Sequence, residues 1–397
     1  MKKRAGSLIA LFFLWMIPWL AGHAEGTQAQ DITYSCTYSV LAGQKHFSWC
    51  MDRKYSTYWS ANRSTDACME VTAPEGETVS CIWMQWDKEP CAWNLQVQDD
   101  DGNWIDAGHA EGTYLSEVLF LPEGVSHFRI VRRPGDRQAF HLNEMHLYGA
   151  GALPADVQVW NPPAEKADLM LLVAHPDDEV LWFGGTLPRY AGEEGRVCQV
   201  CVMVPSIACR RLELLDCLWT CGVRYYPAWG NCKDAFSFSL SEQYAVWDRY
   251  HIYDIVTGWI RRFQPDVLLT HDRFGEYGHG AHQVCADAAV QCLEMAADEA
   301  MYPDSYQMYG TWDVSKCYLH LYREGVIRMD WQTPLSAFAG KTGMQVAQEA
   351  FMCHVSQYKK GKYQVDNSGQ CDCSLFGLYR SRVGADEKGD DFFEHIP

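Results

Sequence analysis

The sequence predicts an α/β fold: a Rossmann-like three-layer parallel sheet domain preceded by an all-β sandwich domain. Three observations predict it. Apolar runs at 169–174, 197–204 and 266–270 lack polar alternation, as strands buried on both faces of a parallel sheet should. Between the last two, Ile252, Ile255, Val256, Trp259, Ile260 and Phe263 form one face of a helix expected over 242–263, which stops before Pro265. Upstream, 31–150 carries short aromatic and β-branched runs broken by turn signals, with no helical periodicity. A chain of 397 residues is long enough for two such domains.

Taken in order, residues 1–24 read as a signal peptide. Lys2, Lys3 and Arg4 precede an apolar stretch, Leu8 to Leu20, and a small-residue cleavage site at Gly22-His23-Ala24. The apolar stretch is shorter than the ~20 residues a bilayer span needs. Asp390 to Pro397 is no apolar tail. The expectation is a secreted or extracytoplasmic protein with no stable membrane insertion in its mature form. In 31–150, turns are signalled by Pro74-Glu75-Gly76, Asp101-Gly102-Asn103 and Pro122-Glu123-Gly124, and Leu95–Gln98 and Phe128–Val131 alternate as half-buried strands do. Residues 151–166, with Pro154, Pro162 and Pro163, read as a linker, so the sandwich is expected to fold when cut at about residue 152. Residues 167–360 alternate strand and helix. Residues 361–397 form a polar tail expected to be partly loose. Phe183-Gly184-Gly185-Thr186 lacks the spaced glycines of a dinucleotide site.

The net charge of −18 argues against nucleic acid or anionic membranes as partners. It suits a neutral sugar, a cationic glycan, or solubility alone. Seventeen cysteines permit disulfides if the chain is exported, and their odd number leaves at least one unpaired or paired outside the chain. Cys285 and Cys292 read as buried thiols, and Cys198-x-x-Cys201 lies in an apolar strand. Asn62-Arg63-Ser64 is a formal glycosylation sequon.

Chemistry concentrates at two strand ends. His175-Pro176-Asp177-Asp178-Glu179 follows the first strand. One reading is an acidic first helical turn that complements the helix dipole. The other is a set of metal ligands at the carboxyl edge of a sheet, where open α/β sheets bind ligands. The second cluster favours the latter. The strand at 266–270 runs into His271-Asp272, and then His279 and His282 fall three residues apart on one face of a starting helix. An imidazole and a carboxylate suit zinc, and a catalytic zinc needs three protein ligands and an open position. With zinc to lower the pKa of water, a free carboxylate as base and an imidazole as acid, the set is complete for amide hydrolysis.

AHPDDE after one strand and GHxxH after a THD strand end resemble the PIG-L/LmbE family of zinc-dependent N-deacetylases, over about residues 166–360. The resemblance implies His175, Asp178 and His282 as ligands of one Zn2+ per chain. It implies Asp177 as general base, and a protonated His279 that stabilises the oxyanion and protonates the leaving amine. Arg210 resembles a substrate-contacting position, with a surface salt bridge as the alternative. Ala281 stands where many members carry an acidic or amide residue, which removes a side-chain partner of His279. The front domain resembles discoidin (coagulation factor 5/8 type C, galactose-binding-like) sandwiches through Asp52–Ser60, Gly102-Asn103-Trp104 and Leu142–Gly149. That implies sugar binding through exposed aromatics among Trp59, Trp83, Trp86, Trp93 and Trp104, or a structural role. The implied activity is removal of an acyl group, expected to be acetyl, from an N-acylated amino sugar or glycan. The alternatives are a deacylase of a non-sugar amide and a glycan-binding protein with an inactive hydrolase domain.

Overall fold

The computed structural model describes residues 27–41, 43–61, 67–88, 90–135 and 140–397. The expected signal segment 1–24 and the sequon at Asn62 lie outside them. Two antiparallel sheets form the front region. One has β1 (Thr37–Val40), β3 (Ala67–Thr72), β8 (His127–Arg132), β5 (Trp93–Gln98) and β6 (Trp104–Ala110), in that spatial order. The other has β2 (Trp59–Ala61), β9 (Phe140–Tyr148), β4 (Val79–Trp86) and β7 (Ser116–Val125). Side chains that alternate inward along these strands fill the space between the sheets, among them Trp59, Trp86, Trp93, Phe128 and Phe140. The tryptophans are therefore spent mainly on the core. Trp83 is also buried, and Trp104 is half-buried beneath the Arg129 guanidinium, 4.5 Å from its ring.

The second region is built on β10 (Leu169–Val173), β11 (Cys198–Val202), β12 (Ala228–Trp229), β13 (Val267–Thr270), β14 (Lys316–His320), β15 (Val326–Arg328) and β16 (Leu375–Ser381). Their spatial order is β12-β11-β10-β13-β14-β16-β15. The sheet is mixed, which corrects the all-parallel expectation. The run from β12 to β14 is parallel, but β16 is antiparallel to both β14 and β15. The strand that breaks the pattern comes from the supposedly loose tail. Phe376, Phe392 and Phe393 of that tail are buried, and Lys316 is ion-paired to Asp386 with its side chain fully buried. Sparse periodicity concealed this because a few phenylalanines suffice to dock a polar segment.

The helices are α1 (Asp178–Leu181), α2 (Ala208–Thr220), α3 (Leu240–Val246), α4 (Arg249–Phe263), α5 (Gly280–Ala297), α6 (Pro303–Tyr309), α7 (Gly343–Phe351) and α8 (Val355–Tyr358). Odd and even residues of β10 feed separate cores on opposite faces of the sheet, Leu169, Leu171 and Val173 on one and Met170 and Leu172 on the other. The helix expected over 242–263 is two helices. Trp247 ends the first, and Asp248 caps the second, accepting the His251 N–H at 2.9 Å. Among the described residues no helix is long and apolar enough to cross a membrane. Most of the described cysteines are buried, and Cys285 and Cys292 are free thiols among them.

The sandwich is not an isolated module. Leu212, Leu215 and Tyr226 of the α/β region join its core, and the Tyr226 hydroxyl accepts the Leu115 N–H at 3.0 Å. The segment read as a linker is packed between them: Val157 is buried, and Gln158 donates to Asp216 at 2.5 Å. Tyr55 of the sandwich donates to the same carboxylate at 3.0 Å. Cutting at residue 152 would uncover this shared surface. Burial pushes Asp216 up from 3.8 to about 7. A raised acid contributes stability that is full below its unfolded pKa and lost as pH rises through the folded one. Asp216→Asn, which keeps an acceptor oxygen, should therefore flatten the fall in stability between about pH 4 and 7. Each pH unit of difference is worth ~1.4 kcal/mol. Unfolding midpoints of both proteins across that range check this, and parallel pH profiles would count against it.

Candidate metal centre and active site

Strand β10 delivers His175 to the carboxyl edge of the sheet, and α1 starts three residues later. The His175 N–H donates to Asp178 Oδ2 at 2.7 Å, folding the Asp178 side chain back over the strand end. Asp178 Oδ1 accepts from Trp182 Nε1 at 2.8 Å. Between them Asp177 sits at φ 119°, a backbone state costly for a non-glycine residue, on the order of 1–3 kcal/mol. Its N–H is held by Glu179 Oε2 at 2.9 Å, and Glu179 is gripped in turn by His354, 2.5 Å away. Both Glu179 and His354 are fully buried.

Strand β13 and the start of α5 supply the rest. His175, Asp178 and His282 bring three ligand atoms within 4.8 Å of one another, all three residues buried. His282 Nδ1 lies 2.5 Å from Glu276 Oε2, so Nδ1 carries the proton and Nε2 keeps its lone pair. That Nε2 is buried without a hydrogen-bond partner and faces Asp178 Oδ1 at 3.4 Å. A lone pair opposite a carboxylate oxygen is an arrangement that a cation between them would satisfy. Burial also lowers the His282 pKa, favouring the neutral ring a metal requires. Burial opposes charge on Asp178, yet His282 and His271 beside it hold its carboxyl well below the usual range.

Glu276 is the hub that the sequence reading passed over. It accepts from the Nδ1 atoms of His271 (3.0 Å), His282 (2.5 Å) and His320 (2.9 Å), and all four residues are buried. Its place between His271 and His282 in the chain was the available signal; His320, on β14, had none. Two glycines let the loop close. Gly275 has φ 67° and a Cβ there would lie 2.5 Å from the His279 carbonyl oxygen, while one on Gly280 would lie 2.0 Å from Ser237 Oγ. Because Glu276 fixes the tautomer and orientation of His282, Glu276→Gln should weaken metal binding by ~10–100-fold. Competition titration against a chelator measures it, and unchanged affinity would show that His282 needs no such orientation.

Asp177, His279 and Arg210 converge on the same cavity, of about 260 Å³, with His175 and Asp178 in its wall. Burial pushes the Asp177 carboxyl up to about 7, against the pull of Arg210. Arg210 Nη2 donates to Asp177 Oδ1 at 3.1 Å and to the Pro176 carbonyl oxygen. It is thus engaged with the strand-end loop rather than in a purely surface pair. His279 departs from the protonated state expected of it. Burial, with His282 and His175 close by, pushes it down to about 3, and its Nδ1 accepts the Ala281 N–H at 3.1 Å. The ring is neutral with its proton on Nε2. The backbone at Ala281 thus supplies a partner for His279 although its side chain cannot. Phe236, 60% exposed, sets its ring edge-on to His279 at 4.8 Å, and Tyr277 and Tyr363 continue the aromatic rim.

Residues 170–293 match the family model described as PIG-L: GlcNAc-PI de-N-acetylase. The chain is 30% identical over 193 residues to 1D-myo-inositol 2-acetamido-2-deoxy-alpha-D-glucopyranoside deacetylase 1 of Catenulispora acidiphila, covering 42% of this chain and 59% of that protein. It spans about three fifths of the length of the first curated relatives it matches. Among solved structures, N,N'-diacetylchitobiose deacetylase from Pyrococcus horikoshii matches 48% of this chain and 71% of its own, at 19% identity and a TM-score of 0.37. The family 32 CBM of Clostridium perfringens NanJ matches 30% of this chain and 97% of its own, at 16% identity and a TM-score of 0.25. The α/β half of this chain contains a PIG-L domain with deacetylase homologues.

Proposed function

We propose that this protein is a metal-dependent hydrolase that removes an acetyl group from an N-acylated amino sugar or glycan. The observation that carries the reading is the unpartnered His282 Nε2 facing Asp178 Oδ1 beside His175, a three-ligand N and O set that suits zinc. Zinc held there would supply a water of pKa ~7 and polarise the substrate carbonyl. Asp177 is not among the three ligands and takes the proton of the attacking water as general base. Arg210 holds its carboxylate toward the cavity. His279 donates its Nε2 proton as a hydrogen bond to the developing oxyanion. Because His279 starts neutral, the proton for the leaving nitrogen comes from Asp177, which has just acquired it. The exposed Phe236 ring and its aromatic neighbours suit the apolar face of a sugar ring. The basic start and apolar run of residues 1–24 support an exported protein.

The test is acetate release from a panel of N-acetylated monosaccharides, oligosaccharides and non-sugar amides, with and without chelator. Chelator-sensitive release from the amino sugars is expected. Release only from non-sugar amides would move the reading to a general deacylase, and metal-replete protein inert on the whole panel would sink it.

A further inference from the structure

A larger cavity, of about 1270 Å³, lies between the two regions. One wall is the outer face of β4 and β9, with Trp83, Gln85, Glu144 and His146. The facing wall is one side of α2, with Glu213, Asp216 and Thr220 spaced along it. Residues adjacent in sequence line this cleft and the catalytic cavity. Cys209 lines the cleft and Arg210 the catalytic cavity; Ser356 and Lys359 line the cleft, and Gln357 and Lys360 the catalytic cavity. We propose that the cleft is a saccharide subsite that receives the sugar chain extending from the unit being deacetylated, so that the sandwich and the α/β region share one substrate.

The lining supports a polyhydroxylated ligand. Glu144 is 2% exposed; its Oε1 accepts from the Lys54 N–H at 2.8 Å, while Oε2 is buried without a partner. A buried carboxylate oxygen left open calls for a donor, and a sugar hydroxyl is one. Trp83 and His146 stack on one another at 5.2 Å and 28° in the same wall, which fixes that wall rigidly. Arg53, Lys54, Arg224 and Lys359 offset Asp31, Asp156 and the acids already named, so no single sign selects an ion. Burial pushes both Glu144 and Asp216 up to about 7, which reduces their ionic character further. The shared core and the packed segment 151–166 hold the two walls in register, unlike a module on a flexible tether.

This inference rests on the deacetylase reading for its substrate class, and binding is measured apart from turnover. The probes are the disaccharide and pentasaccharide of N-acetylglucosamine, titrated calorimetrically into metal-loaded full-length Asp177→Asn protein. The pentasaccharide should bind about tenfold tighter. That ratio should fall toward one in the isosteric Glu144→Gln background and, separately, in Lys359→Ala, a change on the exposed surface that spares the core. Equal affinity for both lengths, no binding of either, or a ratio unmoved in both variants would overturn the proposal. Failure of the deacetylase reading appears differently: no acetate from either saccharide with the Asp177 protein, whatever the binding ratio.

Discussion

Asp177→Asn should lose ~10²–10⁴-fold in turnover while one metal ion per chain remains bound, the usual cost of removing a general base. The geometry isolates the effect. Asp177 stands next to the proposed ligand Asp178 but is not in its ligand set, and it lines the cavity with Arg210 on its Oδ1. Asparagine keeps the acceptor that Arg210 uses and tolerates the positive φ better than most residues, so the fold should survive. Acetate release and metal analysis on the same preparation check both halves. Near-normal turnover would send the proton elsewhere, and loss of metal would exchange the roles of Asp177 and Asp178.

His282→Ala should remove the metal and, with it, the activity. Two ligands cannot replace three, and alanine leaves no nitrogen opposite Asp178. Glu276 would still have His271 and His320, so its carboxylate is not stranded by the change. Metal content falling from one per chain toward none, with a native circular dichroism spectrum, is the expected result. A folded His282→Ala protein holding undiminished zinc would remove His282 from the site. The contrast with Glu276→Gln is informative, since that variant should weaken the metal without abolishing it.

Both clusters of site residues were legible because they sit beside their strands. An apolar run long enough to be a buried strand, followed at once by His175 and the two aspartates, states both the element and the edge where chemistry occurs. The pair His279 and His282 was legible by helical spacing. The residues that hold them were not. Glu276 became a hub only because β14 brings His320 beside it, and His354 reaches Glu179 across 175 positions of sequence. Nothing local marks such partners, since a buried carboxylate and an exposed one have the same letter. The environment of His279 was hidden for the same reason: its pKa is set by burial and by neighbours that only folding assembles.

By itself the sequence determined the two regions, the three central strands of the parallel run and the residues that converge on the candidate centre, because each depends on periodicity or adjacency. The tertiary structure decided the rest. Docked phenylalanines put β16 into the sheet and made it mixed. An N-cap at Asp248 broke one helix into two, since a short polar side chain beside buried Trp247 can satisfy the backbone there. Core packing absorbed most of the tryptophans that composition alone would have offered to a ligand. Shared burial of Leu212, Leu215 and Tyr226 joined the sandwich to its neighbour, because apolar faces that meet exclude water regardless of how far apart they lie in the chain.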